Sequence, residues 1–366
     1  MTASGKVNLC DLPYPALERF VVEELGFKKF RALQLWQWIW VKNAAGFEGM
    51  TDISQTDRAR LTELADIRWP SIADVRVSSD GTTKFLLSLT DGELVETVLI
   101  PSDAPKRPND LSVRMTQCVS TQVGCAMACS FCSTGRLGFR RNMTMGEILG
   151  QVQVARAYMH DTQPERPIIR NLVYMGMGEP LLNLSAVMDS LRTLEHPRGL
   201  AFSPRRITVS TCGIEAGMRE FGDSGLAFLA VSLHAPNQPL REKLMPRAAH
   251  WPLESLISAL EAYPLKTRER ITLEYLVIAG VNDQAEHVKQ LARICARLKA
   301  KLNLIPYNPT PGTPYQAPTP EELLRFEKAL WAKGITAIVR KSKGQDIEAA
   351  CGQLRAAHDA ALAEGR

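Results

Sequence analysis

No stretch of these 366 residues approaches the roughly 18 consecutive apolar residues of a membrane-spanning helix, which excludes an integral helical membrane protein. The N-terminal residues also read as carrying no basic-plus-apolar leader. Lys6 is followed within a few residues by Asp11, Pro13 and Pro15, and the chain reads as a cytoplasmic globular protein. Charge of one sign is nearly absent as a bias: 44 Lys and Arg stand against 39 Asp and Glu, a net +5. What positive charge there is gathers at Arg136, Arg140 and Arg141, at Arg205 and Arg206, and at Arg340, Lys341 and Lys343. Such patches permit a polyanionic partner. Cysteine is present but not as a disulfide scaffold. Of the 8 cysteines, Cys118, Cys125, Cys129 and Cys132 lie close together, while Cys10, Cys212, Cys295 and Cys351 are scattered. In a reducing compartment a cluster of this kind means metal or redox chemistry. Cys10 and Cys295 read as small core residues and Cys212 as a packing residue.

Three patterns follow one another along the chain. From about Tyr14 to Trp69 the apolar spacing is helical, with Gly26 and Gly46 as breaks. Trp36, Trp38 and Trp40 cannot share one helical face, and packing against the rest of the protein is favoured over base stacking. Two glycine turns, Ser79-Asp80-Gly81 and Asp91-Gly92, then separate alternating runs and predict an antiparallel meander. From about Leu111 strands and helices alternate: Val113 to Val119, Asn171 to Met175, Arg206 to Ser210, Ala227 to Ser232, Ile271 to Val277, Lys301 to Ile305 and Thr336 to Val339 are strand candidates. Repeated βα units require a parallel sheet, with chemistry expected at the strands' carboxyl ends. The expected division is 1–72 helical module, 73–110 meander linker, 111–345 α/β core and 346–366 C-terminal segment.

Cys125, Cys129 and Cys132 form a C-x3-C-x2-C run directly after the first strand of the βα series. Three thiolates on one loop can hold three irons of a [4Fe–4S] cluster and leave the fourth open. The competing metal is zinc, with Cys118 as a fourth ligand, but Cys118 sits inside the strand and paired C-x2-C knuckles are absent. This spacing resembles that of the radical S-adenosylmethionine superfamily, and the resemblance implies a partial (β/α)6 barrel whose open iron chelates S-adenosylmethionine. Polar groups at the other strand ends agree. Gly178 and Glu179 lie in Met175-Gly176-Met177-Gly178-Glu179-Pro180; Ser210 ends one strand, Ser232-Leu233-His234 ends the next, and Asn308 follows a later one. Each stands where the cofactor's ribose, adenine or methionine would be bound.

Further along, Val339-Arg340-Lys341-Ser342-Lys343-Gly344-Gln345 leads to Cys351, which is flanked by small residues. Together with Cys118, the GMGEP loop, Ser232-Leu233-His234-Ala235 and the helical N-terminus, this segment closely resembles the RlmN family of RNA (adenine-C2)-methyltransferases. Lys343 departs from the arginine expected there, which keeps the charge but alters the fork of hydrogen bonds. The resemblance implies that Cys351 takes a methyl group from one S-adenosylmethionine by displacement. A second S-adenosylmethionine, cleaved at the cluster, gives the radical that activates this methyl for addition to C2 of adenine. Cys118 then releases the product by a disulfide with Cys351, and Glu96 accepts the C2 proton. Glu96 shares one strand face with Leu94, Val98 and Ile100, an apolar setting expected to raise a carboxylate's pKa. The same pattern fits a strand carboxylate paired with an arginine. By resemblance the substrates are 23S rRNA and tRNA beside the anticodon, and the electron donor is a flavodoxin or ferredoxin system. Two alternatives stand beside this: a sister family that methylates adenine C8, and a non-catalytic RNA-binding protein stabilised by zinc or a cluster.

Overall fold

The computed structural model describes residues 5–102, 114–162, 169–310, 312–347 and 349. Ten strands form one sheet: β1 (Ser71–Val77), β2 (Thr83–Ser88), β3 (Leu94–Pro101), β4 (Met115–Cys118), β5 (Ile169–Tyr174), β6 (Ile207–Thr211), β7 (Phe228–Ser232), β8 (Ile271–Val277), β9 (Ala300–Pro306) and β10 (Ala337–Val339). Their order across the sheet follows their order in the chain. The strands β1 to β4 pair antiparallel, and from β4 to β10 every pair is parallel.

Parallel neighbours cannot be joined by a tight turn, so each needs a crossover. Helices Met145–Thr162, Leu184–Glu195, Glu215–Ser224, Leu253–Glu261, Ala285–Arg297 and Pro320–Trp331 supply them after β4 to β9 in turn. This is the expected partial (β/α)6 arrangement. Local chemistry fixes the starts of the last two helices. Gln284 and His287 form one capping box, and Thr319 and Glu322 form another with Pro320 in the first turn. Two helices, Glu215–Ser224 and Gln238–Leu244, are poorly marked in the sequence. The first contains Gly217 and Gly222, which read as breakers, and the second is only 7 residues long.

The meander expected as a separate linker is part of the barrel sheet. Its turns sit at Gly81 (φ 84°) and Gly92 (φ 83°), as the sequence predicts, but β3 pairs directly with β4, from Val98 opposite Cys118 to Pro101 opposite Met115. An unpaired β3 would leave a row of backbone donors and acceptors exposed, and joining the sheet satisfies them.

The N-terminal module contains helices Tyr14–Arg19, Phe30–Trp40 and Gln55–Leu64. Trp36 and Trp40 are fully buried and dock it onto the barrel. The Trp36 ring lies 5.3 Å from Tyr14 and 5.0 Å from His196, while Trp40 meets Trp69 at 5.6 Å. Gln153, on the first crossover helix, donates to the Ile39 carbonyl at 2.8 Å, and Arg156 donates to Trp40 at 3.0 Å. Trp38 takes the opposite face, with its N–H on Asp52 Oδ1 at 2.6 Å and Lys42 over its ring. Packing thus accounts for the tryptophans on the docking face.

Beyond β10 the chain crosses from one edge of the sheet to the other. Lys343 Nζ donates to the Ser102 carbonyl at 2.7 Å, and the Gly344 N–H to Asp80 at 2.9 Å. Asp346 accepts from Ser78 Oγ at 2.5 Å and from the Ser79 N–H at 3.0 Å. Residues 343–346 therefore form a strap tied to the β1–β2 turn and to the chain leaving β3. Among the described residues no helix is long and apolar enough to cross a membrane.

Candidate active site

The loop that carries the cysteine triplet leaves a short ribbon, Gln122–Gly124 paired with Phe139–Asn142. Gly124 (φ 73°) is required there, because a Cβ would lie 1.8 Å from the Gly138 carbonyl oxygen. The Cys125 N–H donates to that same oxygen at 2.8 Å, and the Cys132 N–H to Cys129 at 3.1 Å. Ala128, between the first two cysteines, is held at φ 51°, a left-handed conformation costly for a residue with a Cβ. Ser130 fastens the loop to the barrel, its N–H on Leu244 at 2.9 Å and its hydroxyl 2.8 Å from that of Tyr315.

All three triplet cysteines line one cavity of about 1030 Å³ at the carboxyl ends of the strands. Glu96, Cys118, Gly178, Glu179, Ser210, Ser232, His234 and Asn308 line it too. Leu233 does not: its side chain is fully buried in the core, and its N–H donates to the Glu274 carbonyl at 3.0 Å. Cys351 lies outside the described residues. The cavity's size sits at the upper end of small-molecule sites, enough for more than one group at once.

One wall is the GMGEP loop. Gly178 (φ 101°) has no room for a Cβ, which would lie 2.6 Å from Gln122 Cβ. The Glu179 N–H donates to Gln122 Oε1 at 2.8 Å. Its carboxylate is aimed by two backbone donors, Leu181 N–H to Oε1 at 3.0 Å and Cys212 N–H to Oε2 at 2.7 Å. Burial raises the Glu179 pKa despite these donors.

The floor spans three strands. Ser210 on β6 registers with Ala230 on β7, and Ser232 with Glu274 on β8. Paired residues in adjacent strands share a face, and Ala230 is small enough for Glu274 to reach across β7. Glu274 Oε2 accepts from Ser210 Oγ at 3.0 Å, and the Ser210 and Ser232 oxygens are 3.4 Å apart. Glu274 Oε1 is buried without a hydrogen-bond partner among the described residues. Burial raises the pKa of this carboxyl, against the charge of Arg340. The sequence pattern does not single out Glu274, although a carboxylate inside the apolar run Ile271–Val277 is the signal it offers. His234, beside the floor, is held at φ 47° by Asn282, whose amide donates to its carbonyl at 2.9 Å. Its Nδ1 accepts the Leu276 N–H at 3.0 Å, which assigns the ring proton of the neutral imidazole to Nε2. Burial and then Arg241 depress its pKa to about 3.

The opposite wall holds Glu96 and Cys118. Glu96, Val98 and Ile100 line the cavity together, as the period of two predicts, and Cys118 stands opposite Val98. Burial pushes the Cys118 thiol up to about 11, with Arg340 acting against it and Glu274 and Glu96 adding to it. The triplet answers to different neighbours. Burial pushes Cys125 up to about 12, against a backbone hydrogen bond from Met127, and Cys129 well above the usual thiol range, with Cys132 adding to both. No grouping of three His, Cys, Asp or Glu side chains among the described residues closes around a single-ion position. Three soft donors along one wall fit the [4Fe–4S] cluster, and a buried cation behind them, Arg241 with an unpartnered Nε, supplies charge that a thiolate-bound cluster would balance. Arg136, Arg340 and Lys341 are exposed at the cavity's rim.

Residues 7–67 match the family described as the ribosomal RNA large subunit methyltransferase N-terminal domain, and residues 119–292 match the radical SAM superfamily. A protein of Nitratidesulfovibrio vulgaris (strain DP4), a dual-specificity RNA methyltransferase RlmN, is 64% identical over 95% of both chains. The protein of the same name from Alkalilimnicola ehrlichii is 45% identical over 95% of this chain and 93% of its own. A crystal structure of a radical SAM methyltransferase from Sphaerobacter thermophilus superimposes with a TM-score of 0.85 at 40% identity, covering 95% of this chain and 98% of the other.

Proposed function

This chain belongs to the RlmN family of dual-specificity RNA methyltransferases, and from that premise we propose that it methylates carbon 2 of adenine in 23S rRNA and in tRNA beside the anticodon, with Cys351 carrying the methyl group. It is a radical S-adenosylmethionine enzyme that uses a [4Fe–4S] cluster. When bound, cluster and S-adenosylmethionine supply a one-electron bond cleavage and, from a second molecule, the methyl group. The observation that carries the proposal is convergence: the triplet, the GMGEP loop, the serine–glutamate floor and Cys118 with Glu96 all face one cavity.

Cys125, Cys129 and Cys132 would hold the cluster. Burial keeps the Cys125 and Cys129 thiols protonated, so binding must release their protons. Glu179, oriented by Leu181 and Cys212, would receive the amino group of the methionine half, and Gly178 gives that half close access to backbone. Ser210, Ser232 and Glu274 would hold the ribose hydroxyls, with Glu274 Oε1 still able to accept. His234 would donate through Nε2, while Asn308 and the backbone about Leu233 complete the adenosine pocket. On the other wall Glu96 would take the C2 proton at its carboxylate. Cys118, a thiol with a pKa of about 11, needs to lose its proton before it can free the product from Cys351. The enzyme would act in the cytoplasm and draw electrons from a flavodoxin or ferredoxin system.

Anaerobic reconstitution with RNA and methyl-labelled S-adenosylmethionine, followed by mass spectrometry of the nucleosides, tests this. The expected product is 2-methyladenosine, absent in Cys351→Ala. Labelled 8-methyladenosine would assign the chemistry of the sister family instead. Cleavage of S-adenosylmethionine with no methylated nucleoside would refute the methyl-transfer assignment.

A further inference from the structure

Arg241 is fully buried, with 0% of its surface exposed, yet among the described residues it has no carboxylate partner. Its Nη2 donates to the Cys212 carbonyl at 2.7 Å and to Ala248 at 3.4 Å, and its Nη1 approaches the Met245 sulfur at 4.0 Å. Its Nε has no partner at all among the described residues. A guanidinium keeps its charge in proteins, so it cannot escape burial by losing a proton. An uncompensated buried cation is strongly destabilising, and neutral carbonyls offset only part of that cost.

The surroundings indicate where the missing negative charge belongs. Cys212 and Met245 line the cavity, and Arg241 lies directly behind both. Its short helix, Gln238–Leu244, ends at the Leu244 carbonyl that receives Ser130, the residue between Cys129 and Phe131 in the triplet loop. The groups whose charge it feels most are Cys212 and Cys129, and the neutral His234 is shifted by it in turn. Glu179 binds the Cys212 N–H rather than the guanidinium, and burial disfavours its own charge. Cys129 is the one of these groups that a metal would hold as a thiolate.

We propose that Arg241 is the fixed counter-charge of the cluster held by Cys125, Cys129 and Cys132, and that it sets how readily the cluster accepts an electron. The proposal rests on the cluster assignment made above. A [4Fe–4S] cube with three thiolates is negative overall. Accepting one electron from a one-electron reductant adds one negative charge and breaks no bond. A buried cation beside it stabilises the reduced form more than the oxidised form. Arg241 is thus a positioning and tuning residue that touches neither substrate nor S-adenosylmethionine.

The test is an anaerobic redox titration, followed by electron paramagnetic resonance with dithionite as reductant, of reconstituted wild type, Arg241→Lys, Arg241→Gln and Arg241→Met. Glutamine can still donate to the Cys212 carbonyl, methionine fills the space without charge, and lysine keeps the charge. Expected is a midpoint close to wild type for lysine. For both neutral variants the ratio of reduced to oxidised cluster at a given potential should fall at least tenfold, or 59 mV for one electron. Neutral variants that fold but take up no cluster, while lysine takes it up, support the counter-charge role. Neutral variants with full clusters and an unchanged midpoint would overturn it. So would neutral variants that fail to fold without the cluster, since that would give Arg241 a structural role. A wild-type protein that forms no cluster at all would instead overturn the assignment of the triplet.

Discussion

Glu274 holds its carboxyl in two unequal environments: Oε2 is bound by Ser210, and Oε1 is buried with no partner among the described residues. A buried acceptor left in this way is costly unless a ligand completes it. Glu274→Gln keeps the shape but replaces one acceptor with a donor. The expected result is weaker binding of S-adenosylmethionine to the cluster-loaded protein by about tenfold, from the ~1.5–3 kcal/mol typical of hydrogen bonds to charged groups. Equilibrium dialysis measures it, and unchanged affinity would remove Glu274 from the cofactor site. His234 makes a different demand, on pH. Its folded pKa of about 3 lies below the ordinary histidine value near 6.5, so the unfolded chain binds the proton more readily. The stability it protects is complete above pH ~6.5 and is lost as pH falls toward 3, on the order of a few kcal/mol in full. Urea unfolding of wild type and His234→Gln at pH 7.5 and at pH 5 should show a steeper loss in wild type; parallel losses would place the effect elsewhere.

The strap after β10 joins parts of the chain that no local pattern connects. Asp346 reaches Ser78 and Ser79 across 268 and 267 positions, and Gly344 reaches Asp80 across 264. These bonds hold Gly344 and Asp346, which precede Cys351 closely in the sequence. Asp346→Ala should therefore reduce RNA methylation several-fold while reductive cleavage of S-adenosylmethionine persists, because the proposed cleavage site is built on the triplet loop and the strand ends. Measuring both products in one reaction checks this, and equal loss of both would show a general disturbance of the barrel. The strap marks the limit of what the sequence makes legible. The βα series, both glycine turns and the triplet are local in period or spacing, and they stand where expected. The joining of β3 to β4 and the strap depend on contacts between distant segments. Glu274 and Arg241 are illegible in the sequence for a related reason. Arg241-Glu242-Lys243 looks like a solvated helical face, and which of the three points inward is decided by Cys212, Met245 and Ala248. A single carboxylate in an apolar strand becomes informative only once the face it occupies is known.

At the scale of the whole molecule the small excess of positive charge matters by where it stands. Many of the charged side chains pair locally: Arg141 with Asp91 and Glu147, Arg140 with Glu93, and Arg297 with Glu254 and Glu261. Those pairs sit at the surface and leave little net field. Arg136 and Lys341 are exposed at the cavity's rim and make no ion pair among the described residues, so their charge is available to phosphates flanking an adenine drawn into the site. An unstacked base brings its own strand of phosphates to the rim, and each phosphate neutralised by a cation releases bound counterions. For single strands the dependence of log affinity on log salt changes by about 0.7 per contact. Replacing Arg136 and Lys341 together by glutamine should then flatten that slope by about 1.4, measured by fluorescence anisotropy with an RNA stem-loop over a series of salt concentrations. Affinity at low salt should fall, while the affinities of wild type and variant should converge as salt rises. A parallel downward shift at every salt concentration would mean that the substitutions distorted the rim, and an unchanged line would mean that the RNA approaches from another side of the barrel.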